Sequence, residues 1–95
     1  MNYILDGHTP VKEEDVRAWA RWFEKADRRV ALEARNGFKV STVFLGIDHN
    51  FNEGEPILFE TMVFGGEHDQ LQERYPTWDE AVKGHRAIAN MVFRP

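Results

Sequence analysis

The spacing of apolar residues changes several times along the chain, and each change marks an element. Residues 2–6 (NYILD) are apolar enough for a short strand. Thr9-Pro10 interrupts it, and proline is tolerated at a helix entry. From Lys12 to Ala26 the spacing is helical. Val16, Trp19, Ala20, Phe23 and Ala26 fall at i, i+3, i+4, i+7 and i+10, a single apolar stripe. Glu13, Glu14 and Asp15 complement the positive end of that helix.

The period then becomes two. Val30, Leu32 and Ala34 alternate with Ala31, Glu33 and Arg35, and Asn36-Gly37 follows. Asn-Gly between alternating runs signals a type I′ hairpin, whose central residues both need positive φ. If Arg35 pairs with Phe38, Leu32 lies opposite Ser41, Val30 opposite Val43 and Arg29 opposite Phe44. One face then carries Val30, Leu32, Val43, Leu45 and Ile47 and is the expected core face; the other carries Arg29, Ala31, Glu33, Thr42 and Phe44. A further strand runs from Ile57 to Phe64, closed by Gly65-Gly66. On it Ile57, Phe59, Thr61 and Val63 share one face, and Leu58, Glu60, Met62 and Phe64 the other.

Thr77-Trp78-Asp79-Glu80 is a capping box, in which the Thr77 side chain accepts from the Glu80 backbone. The helix it opens lines up Trp78, Ala81, Val82, His85, Ile88, Ala89 and Val92. The expected fold is therefore α+β: an antiparallel meander of three to four strands with both helices on one face. Neither repeats nor linkers interrupt residues 1–95, so a single domain is expected.

Composition supports a packed core, with 42% hydrophobic residues and 12 aromatics against 29% charged residues. There is no cysteine, which excludes disulfides and thiolate chemistry. The first residues lack a basic, then apolar, leader, and no run approaches a membrane span, so a cytoplasmic address is expected. The net charge of −4 is unevenly spread. Lys12 to Lys39 holds eight basic and six acidic residues; Asp48 to Glu80 holds nine acidic residues and one basic, Arg74. That balance disfavours nucleic-acid binding and suits either a solvated acidic face or a basic protein partner.

Candidate chemistry is sparse. Asp48, His49 and His85 offer metal-ligating atoms, but no spacing such as HExxH accompanies them, and no cofactor is expected. Adjacent Asp48 and His49 would point to opposite sides of a strand, and Asp and Asn also suit loops by satisfying backbone groups. His85 follows Gly84 on the apolar stripe; a glycine inside a helix implies close packing there, and a buried imidazole needs a partner. Arg17, Arg21 and Lys25 form an i, i+4, i+8 stripe flanked by Trp22, a candidate anion site or a solvated face. Phe44, Leu58, Met62 and Phe64 are expected on the sheet face away from the helices, a candidate protein interface.

The stretch "VSTVFLGIDHNF", with "PILFETMVFGG" and "RYPTWDEAVKGH" after it, resembles a family of small uncharacterised proteins from tailed-phage and prophage genomes. "YILDG" and "WARWFEKADRRVA" extend the resemblance over nearly the whole chain. It implies a phage-type accessory protein in a bacterial cytoplasm and supplies no catalytic residue. The expected function is accordingly non-enzymatic protein binding, as a homodimer through the open sheet face. The alternative is a small metal-binding protein or metal-dependent enzyme using Asp48, His49 and His85.

Overall fold

A computed structural model describes residues 1–94. Its elements in chain order are β1 (Tyr3–Asp6), β2 (Thr9–Lys12), α1 (Val16–Lys25), β3 (Arg29–Arg35), β4 (Phe38–Phe44), β5 (Phe59–Phe64), β6 (Gln72–Tyr75) and α2 (Trp78–Phe93). β3 to β6 form an antiparallel meander in chain order, and β1 and β2 form a separate hairpin. The α+β class, the meander and the packing of both helices on the sheet are as the periodicity leads one to expect.

Two strands, β2 and β6, leave no signal in the periodicity. Thr9-Pro10 opens β2 rather than a helix, because Gly7-His8 makes a tight turn that sets Pro10 opposite Leu5 in a two-stranded sheet. A strand with a free edge tolerates a residue without an N–H. The helix therefore starts later, at Val16, with the Asp15 side chain accepting from the backbone of Arg17 and Ala18. β6 is short and mostly polar, QERY, so no alternation betrays it.

The Asn36-Gly37 turn forms as expected, with φ of 52° and 82°, and pairs Arg35 with Phe38 and Leu32 with Ser41. At Val30 the register slips, and Arg29 rather than Val30 lies opposite Val43. The bulge turns Val30 inward, where it packs with the core around Phe44.

On the β3–β4 hairpin the core face is the opposite of the expected one, whereas β5 turns Phe59, Thr61 and Val63 toward the helices as expected. Val40, Thr42 and Phe44 of β4 are fully buried, as are Phe59, Thr61 and Val63 of β5. The residues assigned to the core, Leu32, Val43, Leu45 and Ile47, are half-buried or exposed. The physical reason lies across the β4–β5 pairing, which sets Lys39 beside Phe64 and Val43 beside Glu60. A helix laid over a face that carries a lysine and a glutamate in its two central strands would bury their charge against an apolar stripe.

α2 lies over the other face and buries Ala81, His85, Ile88 and Ala89 of its predicted stripe. Thr77 caps it as expected, accepting from Glu80 N at 3.2 Å. α1 sits at the Phe44 end of the same face. There Trp22 meets Phe44 edge-on, at 5.8 Å between ring centroids, instead of flanking a basic stripe. Trp19 Nε1 donates to the carbonyls of Tyr3 and Gly46, joining α1 to β1 and to the end of β4. Gly46 has φ of 77°, and a Cβ there would lie 2.8 Å from the Phe23 ring. The hairpin is tied down at its tip, where the His8 ring stacks on Trp78 at 3.7 Å.

Candidate functional site

Three regions carry polar or exposed apolar groups that the core does not explain. The first is a polar row across the covered sheet face. Thr42 and Thr61 are paired neighbours on β4 and β5, both with no exposed surface. Their hydroxyls lie 2.5 Å apart, and the Thr42 hydroxyl lies 2.7 Å from His85 Nδ1. His85 is 4% exposed, and its Nε2 faces Glu33 Oε1 of β3 at 3.8 Å. Placing the imidazole N–H on Nε2, toward the carboxylate, leaves Nδ1 to accept from Thr42 and Thr42 to accept from Thr61. Both hydroxyls and His85 Nδ1 then have a hydrogen-bond partner, and Nε2 faces a carboxylate, which is how a protein retains buried polar groups.

The row separates two apolar clusters. Phe44, Leu58, Phe59, Tyr75 and Ala81 lie on one side, and Val40, Val63 and Ile88 on the other. Tyr75 comes in from β6 with its hydroxyl buried and without a hydrogen-bond partner. Burial pushes the Tyr75 hydroxyl up from its ordinary pKa; nearby Thr61 lowers it, Glu73 raises it further, and the balance is upward. Gly84 makes room for this ring, since a Cβ there would fall 2.2 Å from the Tyr75 hydroxyl oxygen. The close packing inferred from Gly84 is thus against Tyr75.

A carboxylate, an imidazole and a hydroxyl in line resemble the groups of nucleophilic catalysis. Here, however, Thr42 has no exposed surface, and none of the three surface clefts found among the described residues is lined by Thr42, Thr61 or His85. No substrate carbonyl can reach that oxygen in this conformation. Burial pushes the His85 imidazole below its ordinary pKa, and the Glu33 carboxylate offsets part of that.

The second region is the loop between β4 and β5. The Asp48 carboxylate accepts from Asn50 N at 2.8 Å and from Ile57 N at 2.9 Å, closing the loop on itself. Burial pushes that carboxyl up, but the two backbone donors, the N-terminal ammonium and His49 outweigh it, so its pKa lies below the ordinary value. Asn50 braces the turn through its side-chain bond to the Glu55 carbonyl. His85 belongs to the polar row and not to this loop. Among the described residues no three His, Cys, Asp or Glu side chains come together as a metal-holding group, so Asp48, His49 and His85 are not assembled into a centre. At the loop tip Phe51 is 89% exposed beside Glu53 and Glu55, an aromatic that the strand pattern gave no reason to single out.

The third region is the open sheet face. Of the four residues expected there, Met62 is half-buried and Phe64 is 39% exposed. Phe44 and Leu58 are corrections: both are buried, Phe44 beneath Trp22 and Leu58 within the same cluster. Their places on the open face are taken by Leu32, 39% exposed, and by half-buried Val43. Lys39 lies over the Phe64 ring at 4.6 Å, and Arg74 pairs with Glu60 at 3.0 Å. Arg17, Arg21 and Lys25 remain exposed along α1.

No helix is long and apolar enough to cross a membrane. No family model matches the chain, and neither a curated protein nor a solved structure is similar to it.

Proposed function

We propose that this chain is a non-enzymatic accessory protein of a phage or prophage, acting in the bacterial cytoplasm by binding protein, and that it pairs with a second copy through its open sheet face. The observation that supports the pairing is the apolar row of exposed Leu32 and Phe64 with half-buried Val43 and Met62, on a face with no helix over it. Apolar surface of this kind on a small domain commonly marks an interface. The charges beside it are largely compensated: Glu60 is paired with Arg74, and Lys39 covers Phe64. Two such faces meet without burying an unpaired carboxylate, whereas the acidic remainder of the molecule repels its own copy. The phage assignment rests on the motif resemblance.

The acidic half would then stay free for a basic host or phage protein, with Phe51 as its exposed anchor. Sedimentation equilibrium tests the pairing and is expected to give twice the 11.1 kDa chain mass. Replacing Leu32 and Phe64 together by serine is expected to give a folded monomer with unchanged far-UV circular dichroism. A wild-type chain that stays monomeric at several hundred micromolar overturns the pairing. A pull-down from infected or lysogenic cells that recovers no phage or host protein overturns the accessory role.

A further inference from the structure

Within α2, His85 is the buried side chain able to take up a proton near neutral pH. Its surroundings are poorly suited to the charged form. From β4 it meets the Thr42 hydroxyl, which is bonded in turn to the Thr61 hydroxyl of β5. From β6 come the buried Tyr75 hydroxyl and Glu73, the latter paired with Thr61 at the sheet edge and exposed. From β3 comes Glu33, which stands beyond hydrogen-bond reach at 3.8 Å, is 38% exposed, and shares its other oxygen with Arg35 at 3.0 Å. On α2 itself the neighbouring charges, Lys83 and Arg86, are exposed and of the same sign as an imidazolium.

With the N–H of the neutral ring placed on Nε2, a second proton would also reverse the hydroxyl chain. Nδ1 would become a donor, so Thr42 would have to accept from it and turn its own hydrogen toward Thr61. The charge itself would lie in the seam between the Phe44–Phe59 and Val40–Val63 clusters, where α2 is held to the sheet.

We propose that the Glu33–His85–Thr42–Thr61 row is an acid-sensitive latch: uncharged, it fastens α2 across the sheet, and protonation of His85 loosens that helix. The folded-state value lies below the ordinary imidazole pKa of 6.5, so the unfolded chain binds the proton more readily. The stability that the neutral ring supplies is fully present above about pH 6.5 and is lost as pH falls through the lower, folded value.

The test is proton NMR of the imidazole, together with amide hydrogen exchange of α2 corrected for intrinsic rates, on the wild-type chain between pH 7.5 and pH 4.5. The His85 resonance is expected to titrate below 6.5, with protection of the α2 amides falling over the same interval. Glu33→Gln is expected to move the titration lower still, because it removes the one carboxylate that favours the charged ring. His85→Gln is expected to flatten the acid dependence of α2 protection, since its amide does not titrate. If that variant fails to fold, the wild-type titration and Glu33→Gln still decide. A His85 midpoint at or above 6.5 overturns the latch, as does α2 protection that is indifferent to pH across the titration.

Discussion

The two faces of β5 present nearly the same alternation to different surroundings. Phe59, Thr61 and Val63 face α2 and are fully buried, while Glu60, Met62 and Phe64 face outward. Each set holds one phenylalanine, one smaller apolar residue and one polar residue, so counting hydrophobic positions cannot rank them. The kind of polar residue does. A threonine can pair sideways with a threonine on the next strand and be covered, as Thr61 is by Thr42. A glutamate or lysine cannot be covered as easily, and Glu60 and Lys39 keep their face open.

One truncation on each face separates the two environments. Phe59→Ala removes a buried ring that contacts both Phe44 and Trp78, and it is expected to cost about 3–5 kcal/mol in urea unfolding. Phe64→Ala, at 39% exposure, is expected to cost less than about 1 kcal/mol under dilute conditions where the chain is monomeric. Equal losses would mean that the outer face is as enclosed as the inner one.

Most of the architecture could be read from local signals. The Asn36-Gly37 turn, the Thr77 N-cap and the stripe through His85 and Ile88 each depend on neighbours in the chain, and each forms where expected. What could not be read depended on residues far apart. The loop from Leu45 to Leu58 leaves the β4–β5 register open, and that register decides which face of the hairpin meets a helix. The bulge at Val30 is likewise invisible to a period of two. For the same reason only His85 of the polar row stood out in the sequence. Thr42 and Thr61 are 19 residues apart, and Glu33 had no visible tie to the helix 52 residues later. Phe51 is one apolar position among many in the sequence, and only the fold leaves it 89% exposed.

A second comparison sets the two ends of the covered face against each other. Near Val40 and Val63 the helix approaches through Ile88, and near Tyr75 it approaches through a glycine. Gly84→Ala should gain roughly 1 kcal/mol of helix propensity, yet the new methyl would press on Cε1, Cζ and the hydroxyl oxygen of Tyr75 at 2.2–2.3 Å. Overpacking of this kind costs about 1–3 kcal/mol, so the net expectation is a loss of up to about 2 kcal/mol in urea or thermal unfolding. A variant as stable as the wild type would show that the Tyr75 ring has room to swing aside.

The smallest expected effect tests where the polar row ends. The Tyr75 hydroxyl is buried near Thr61 but has no partner, and an unsatisfied buried hydroxyl costs about 1–3 kcal/mol relative to a paired one. Tyr75→Phe keeps the ring against Gly84 and removes only that oxygen, leaving a gap smaller than a methyl group's worth of packing. The two changes oppose each other, and thermal unfolding is expected to show a gain between zero and about 1 kcal/mol. A loss larger than about 1 kcal/mol would mean that Tyr75 donates to Thr61 in solution. The row would then reach all four strands of the meander, from Glu33 on β3 to Tyr75 on β6, with hydrogen bonds running unbroken from His85 to Tyr75 along the boundary between the two apolar clusters.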